Sequence, residues 1–330
     1  MATVAQWDVN NLCNLNCKHC RVSEKNDKEQ LSLVQAKMLL AELWYEGVTK
    51  LNFSGGEPFL REDLFQLLDY ARKFDDIVIT TNGTLLNEEV CKKLSEFNNI
   101  KLSISLDGME KTHDEFRRKK GTFKTVINNL ELLNKYNIPY SIKYTLSKDT
   151  VNDVKDLIRL IATKGAKEFN IRRVIAVGNA NENMLISNDK YKKIIKEIIQ
   201  ECNDLSINFR TGDPLLIPIF PEIFGIDLKH DNINKIYAGC QAGDEIIYID
   251  YKGNVGACSY IPIFADNIKE KSLDDILKNN KLFKDLREYK EKLKGKCTKC
   301  DYKMICGGCR ASALALKKSL FEEDPLCLAK

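Results

Sequence analysis

Twelve cysteines, gathered in two clusters, constrain this 330-residue chain more than any other feature of its sequence. Cys13, Cys17 and Cys20 share one short segment, Cys91 and Cys202 are scattered, and seven more fall between Cys240 and Cys327. The start, Met1-Ala2-Thr3-Val4, has no basic-then-apolar export signal. Thiols kept reduced inside a cell bind metal more readily than they pair as disulfides. A secreted disulfide scaffold would be shorter and would not leave positions 21 to 239 almost bare of cysteine. With only three histidines in the chain, the clusters read as sulfur-ligated metal sites in a cytoplasmic protein. Lys+Arg 51 against Asp+Glu 47 gives +4, too balanced for a nucleic-acid or polybasic membrane partner. No apolar run approaches the roughly 18 residues that a membrane span needs.

The first two hundred residues repeat one pattern. Short β-type runs at 4–9, 50–53, 77–80, 101–106, 140–146 and 168–174 alternate with amphipathic stretches of helical period at 33–46, 62–73, 87–97, 123–136, 151–163 and 189–202. This alternation predicts an α/β fold of parallel strands joined by right-handed crossovers. Six such units should curl into a partial (β/α)6 TIM-like barrel without closing it, with the chemistry at the C-terminal strand ends. The expected domains are a core at 1–205, an ordered proline-bearing connector at 206–236 and a cysteine-rich domain at 237–330. In the last, 245–249 and 254–257 suggest a hairpin around Tyr251-Lys252-Gly253, and 273–279 and 281–291 suggest helices. So small a unit buries little apolar surface, so metal must hold much of it together.

The segment Cys13-Asn14-Leu15-Asn16-Cys17-Lys18-His19-Cys20 follows the first expected strand. Three thiolates in one loop can hold three irons of a cubane cluster and leave the fourth open, where an electron-transfer cluster uses four cysteines. A zinc loop with a distant fourth ligand is the alternative. Further motifs stand at strand ends in order: Phe53-Ser54-Gly55-Gly56-Glu57-Pro58, Thr80-Thr81-Asn82-Gly83, Ser103-Ile104-Ser105-Leu106-Asp107-Gly108, and His113-Asp114-x2-Arg117 before Gly121-Thr122-Phe123. Singly they are bland: a glycine turn, an Asp-Gly turn, a solvated arginine. Together, in this order, they resemble the radical SAM (S-adenosylmethionine) superfamily.

That resemblance implies a [4Fe–4S] cluster on Cys13, Cys17 and Cys20, whose open iron chelates S-adenosylmethionine. Gly55 and Gly56 would let the backbone approach the ligand, and Glu57 would pair with its ammonium. Asn82 joins the cofactor contacts, Ser105 and Arg117 would meet ribose and carboxylate, His19 would contact adenine and Val174 would close over it. The implied reaction cleaves the sulfonium by one electron, and the resulting 5′-deoxyadenosyl radical abstracts a substrate hydrogen.

Cys240, Cys258, Cys297-x2-Cys300-x5-Cys306-x2-Cys309 and Cys327 form the second array. Paired Cys-x2-Cys units alone suit a zinc ribbon. Behind the motifs above they resemble the SPASM extension with its two auxiliary clusters, three iron–sulfur clusters in all. The resemblance implies Cys240, Cys258 and Cys309 for the first auxiliary cluster and Cys297, Cys300, Cys306 and Cys327 for the second. Sulfatase-maturing members have another cysteine where Asn234 stands here. The first auxiliary cluster is then open at one iron, smaller, or completed from afar, with Cys202 the candidate. They also carry an Asp where this chain has Ser259. These departures resemble the branch of pyrroloquinoline quinone, mycofactocin and haem or haem d1 maturation enzymes.

The resemblance ranks modification of a ribosomally made peptide first, by cross-link, thioether or oxidative decarboxylation. Tetrapyrrole side-chain chemistry comes second and another small molecule third. Only twelve residues precede Cys13, so a peptide reading calls for a separate leader-peptide-binding protein or direct docking. Flavodoxin or ferredoxin is the expected reductant, with the lysine-rich run 290–303 as a docking candidate. An electron carrier or zinc-binding module without radical chemistry is the reading of another class. It has no need of an amino-acid cradle beside a three-cysteine loop.

Overall fold

The computed structural model describes residues 2–22, 25–225 and 239–329. Asn234 and much of the expected connector lie outside the described residues. Strand and helix alternate as β1 (Val4–Asp8), α1 (Leu33–Tyr45), β2 (Lys50–Ser54), α2 (Leu64–Tyr70), β3 (Asp76–Thr81), α3 (Glu88–Leu94) and β4 (Ile100–Ser105). Then come α4 (Glu110–Arg117), α5 (Thr122–Lys135), β5 (Tyr140–Leu146), α6 (Val154–Thr163), β6 (Glu168–Arg173), α7 (Asn188–Asp204), β7 (Asn208–Thr211) and α8 (Phe220–Phe224). Helix starts follow local chemistry: Ser32 and Gln35 cap α1 reciprocally, Asn87 caps α3 and Ser187 caps α7.

Neighbouring strands from β1 to β7 pair in parallel. Two of these elements were hidden in the sequence. β7 extends the barrel sheet to a seventh parallel strand, yet its four residues are too few to show a period. In α4 the sequence Glu-Lys-Thr-His-Asp-Glu-Phe-Arg is mostly charged, and its buried stripe is only His113, Phe116 and Arg117.

The chain past residue 239 does not form a sheet of its own. β8 (Ile246–Ile249) and β9 (Asn254–Gly256) make the expected antiparallel hairpin, and β10 (Phe264–Asn267) continues it. β8 then lies parallel to β1, from Val4 opposite Ile246 to Trp7 opposite Ile249. Among the described residues the ten strands form one sheet, ordered β10-β9-β8-β1-β2-β3-β4-β5-β6-β7, with β7 and β10 at its free edges. The barrel is therefore open. Helices α9 (Leu273–Asn279), α10 (Lys281–Arg287), α11 (Tyr289–Lys292) and α12 (Arg310–Lys317) complete the chain.

Alternation along the strands decides which face holds chemistry. On β5, Tyr140, Ile142, Tyr144 and Leu146 are buried in one apolar cluster with Val126 and Leu130 of α5 and Leu157 and Ile161 of α6. Ser141, Lys143 and Thr145 take the opposite face. β6 does the same, Phe169 and Ile171 against Asn170 and Arg172. Parallel sheets covered on both faces are usually apolar on both. Here the inner face is polar along strand after strand: Gln6 and Asp8, Asn52 and Ser54, Ser103 and Ser105. Each buried aliphatic side chain on the outer face contributes about 1.5–3 kcal/mol of stability. The inner face gives up that stabilisation to make a wettable chamber.

Candidate active site

Cys13, Cys17 and Cys20 are free thiols that line one cavity of about 120 Å³ at the C-terminal end of the barrel. Their loop is zipped onto the loop after β2. Gly56 N donates to Asn10 O at 3.1 Å, Glu57 N to Leu12 O at 2.7 Å, and Asn10 Nδ2 to Glu57 O at 2.9 Å. This contact is what the two glycines permit. A Cβ on Gly56 would lie 2.0 Å from Leu12 O, and one on Gly55, at φ +134, would lie 2.4 Å from Asn10 O. From the other side Asn179 N donates to Cys20 O at 2.8 Å, and Asn179 Nδ2 to Cys17 O at 3.2 Å. The three sulfurs are thus presented by a loop fixed on both flanks.

Electrostatics around the loop favour neutral groups. Burial pushes the Cys13 thiol up to about 11 and also raises Cys17, although Arg117 pulls the latter down. Arg117 Nη1 lies 3.7 Å from Cys17 Sγ while Nη2 is paired with Asp107. Asp107 is buried, yet Arg117 and the histidines hold it below its ordinary value, and it also accepts from Thr145 N at 2.6 Å. His19 stacks on Phe116 at 4.3 Å and 6°. Burial drives its imidazole down to about 3, so the 4.0 Å approach to Asp107 is not an ion pair at neutral pH. Its Nδ1 is buried with no hydrogen-bond partner.

The remaining expected contacts divide. Gly55, Gly56, Asn82, Ser105 and Arg117 line the small cavity with His19. Glu57 does not. Its fully buried carboxylate accepts from Thr81 Oγ1 at 2.6 Å, Asn82 N at 2.8 Å and Phe59 N at 3.4 Å, and so ties the end of β3 to the β2 loop. Burial raises it to about 7. Val174 is also elsewhere: it packs with Phe116 and Met184 and faces a second, larger cavity.

That second cavity, about 690 Å³, is walled by β6, β7 and the C-terminal region, and Cys240, Cys258 and Cys309 all line it. Cys309 is raised by burial and then by its neighbours Cys240 and Cys258, and Cys258 by burial and Cys240. Cys297, Cys300, Cys306 and Cys327 are grouped apart. Besides burial, the Cys297 thiol feels Cys327 and Cys300, and the Cys306 thiol feels Cys327 and Cys297. Cys240, Cys258 and Cys309 thus share one cavity wall, while Cys297, Cys300, Cys306 and Cys327 act on one another's thiols. Cys202 is wholly buried in the apolar core, as is Cys91, and burial raises their thiols to about 12 and 11. Neither lines a cavity described above. Ser259 Oγ donates to Gln6 Oε1 at 2.9 Å.

Motif reading missed Lys143, Thr145 and Tyr260, which line the small cavity, and Arg172, which lines the large one. The signal was available: a lysine or arginine in the middle of an interior strand has nowhere to point but a polar chamber. Asp8, Arg21 and Tyr248 were also missed. Arg21 Nη2 donates to Asp8 at 2.5 and 2.7 Å, and Tyr248 Oη donates to Asp8 Oδ2 at 2.6 Å.

Residues 7–161 match the model of the radical SAM superfamily, and 240–301 that of an iron–sulfur cluster-binding domain, SPASM. The chain is 32% identical to an AdoMet-dependent heme synthase of Methanosarcina barkeri, covering 98% of this chain and 95% of that one. It is 28% identical to the sporulation killing factor maturation protein SkfB of Bacillus subtilis, covering 81% and 63%. Among solved structures, Streptococcus suis SuiB bound to precursor peptide SuiA superposes with a TM-score of 0.84 at 19% identity, covering 99% of this chain and 76% of that one.

Proposed function

The chain belongs to the radical SAM superfamily and carries a SPASM domain, and from that premise we propose that it removes a hydrogen atom from a propionate side chain of an iron tetrapyrrole. Residues 1–205 would carry the radical chemistry, 206–236 the connection, and 237–330 the auxiliary clusters. Cys13, Cys17 and Cys20 would hold the cluster that binds S-adenosylmethionine. Cys240, Cys258 and Cys309 would hold the first auxiliary cluster, and Cys297, Cys300, Cys306 and Cys327 the second. The donor set fits: soft thiols, a loop held by backbone bonds, and an orphaned His19 Nδ1 beside them. When bound, the cluster and S-adenosylmethionine together supply the 5′-deoxyadenosyl radical.

The chain's own part is position and exclusion. The small cavity, lined by Ser105, Asn82 and Arg117, orients the cofactor and leaves little room for bulk water. A flavodoxin or ferredoxin would deliver electrons near the 290–303 lysines, beside Cys297 and Cys300. The observation that carries the tetrapyrrole reading is the 690 Å³ chamber, with Arg172 on its wall. Its size suits a large ligand and its charge suits carboxylates. Near full-length similarity to the heme synthase supports it. Peptide modification keeps the partial similarity to SkfB in its favour.

The test is an anaerobic assay of reconstituted protein with dithionite and S-adenosylmethionine. Iron coproporphyrin III should stimulate 5′-deoxyadenosine formation and lose carboxyl groups as carbon dioxide, each propionate becoming a vinyl group while its one remaining electron passes to an oxidised auxiliary cluster or an added one-electron acceptor. Absence of both stimulation and carbon dioxide overturns the tetrapyrrole reading.

A further inference from the structure

The inner wall holds two cations, Lys143 and Arg172, that form no ion pair with a carboxylate of the described residues. Lys143 sits opposite Ser105 in the β4–β5 register and opens onto the small cavity. Its ammonium makes no hydrogen bond or ion pair among the described residues. Arg172 sits opposite Thr145, one inward-facing position along from Lys143, and opens onto the large cavity. Its guanidinium lies 4.8 Å over the ring of Tyr260, which lines the small cavity. Lys143, Thr145 and Tyr260 on the small cavity are thus joined to Arg172 on the large one through the Arg172–Tyr260 contact and the Thr145–Arg172 register.

Three other guanidiniums of this region have a carboxylate, whereas Arg173 donates to Leu326 O and Asn188 Oδ1. Arg21 has Asp8, Arg117 has Asp107, and Arg210 reaches Glu168 at 3.7 Å. Tyr260, the Cys258 and Cys309 thiols and Asp213 all favour the charge on Arg172, so part of it would serve a sulfur-bound metal there. Lys143 has no such duty. Burial and then Arg172, Arg21 and Arg117 press its ammonium down to about 7, with only Asp107 opposing. A half-buried lysine among like charges is unfavourable unless an anion joins it, and an entering carboxylate gains a charge-assisted hydrogen bond there.

We propose that Lys143, flanked by Arg172, receives a carboxylate of the substrate and thereby sets which side chain stands at the mouth of the S-adenosylmethionine cavity. The identity of the carboxylate's bearer rests on the tetrapyrrole reading; the demand for an anion does not.

The test is equilibrium dialysis of holoenzyme, with S-adenosylmethionine present, against coproporphyrin III and against its uncharged tetraamide. The wild type should prefer the acid by about tenfold or more, and Lys143→Gln should erase that preference while Lys143→Arg keeps it within about threefold. Arg172→Gln should weaken the acid but not the amide. Equal binding of acid and amide by the wild type, or an unchanged acid affinity in Lys143→Gln, overturns the proposal. So does a Lys143→Gln protein that loses affinity for S-adenosylmethionine while binding the acid as before. If the wild type binds neither porphyrin, the tetrapyrrole reading falls, and glutarate decides the carboxylate site. Slower acylation of Lys143 by acetic anhydride in glutarate, followed by peptide mass, upholds it; an unchanged rate overturns it.

Discussion

Glu57 is an acid held close to its own midpoint at neutral pH. Burial raises it to about 7, while the Thr81 hydroxyl and two backbone N–H groups resist. An unfolded glutamate titrates near 4.3, so the folded chain binds the proton more tightly than the unfolded one. The resulting stabilisation is complete below the unfolded value and fades as pH climbs through about 7. In cluster-free protein, the unfolding free energy of wild type relative to Glu57→Gln should fall by about 3 kcal/mol between pH 4.5 and 8. Urea titrations across that range check it, and a flat difference would show that Glu57 ionises freely in the fold. The motif made this residue easy to find and its placement hard to foresee. Glycine-glycine-glutamate says that a loop is tight; that the carboxylate turns inward to hold Thr81 and Asn82 depends on packing from another strand. Lys143 presents the opposite case: no motif marks it, and only its inward position on β5 gives it meaning.

Among the elements, β1 bears the most. It carries the three-cysteine loop at its C-terminal end and hydrogen-bonds to β2 on one side and β8 on the other. Asp8, its last residue, is gripped by Arg21 from the cysteine loop and by Tyr248 from β8. Tyr248→Phe removes a buried donor to a charged acceptor and should cost about 2 kcal/mol, read as a lower urea midpoint. A midpoint equal to wild type would mean that water replaces the hydroxyl. The first six strands were legible in the sequence as short β-type runs between helical stretches, and their parallel pairing followed from that alternation; their registers come from the structure. β7 and α4 were not, because each carries too few apolar residues for its period to stand out. α12 was masked differently: it begins directly after Cys309 and buries Arg310, whose Nη1 donates to Leu320 O and Glu322 O at 2.8 Å.

Across the whole molecule, cysteine spacing separated the first triad from the later cysteines, and the structure places that triad on the small cavity and Cys240, Cys258 and Cys309 on the large one. Replacing Cys13, Cys17 and Cys20 together by Ala should lower iron from about twelve to about eight per chain and abolish cleavage of S-adenosylmethionine. Iron analysis and a 5′-deoxyadenosine assay check it; undiminished iron would show that this loop binds no cluster. What spacing could not foretell is that the cysteine-rich tail would continue the barrel's own sheet, since β-pairing between positions 4–7 and 246–249 leaves no mark on either segment alone.

That shared pairing has a consequence for engineering and for descent. A tail transplanted from a cousin must match the donor rung for rung along β1, for a slip of one residue would turn Tyr248 away from Asp8 and expose its neighbours. Exchange of tails between such enzymes is thereby restricted to partners with the same ladder, so new substrate preferences would arise more readily by changes to the chamber lining than by swapping its end.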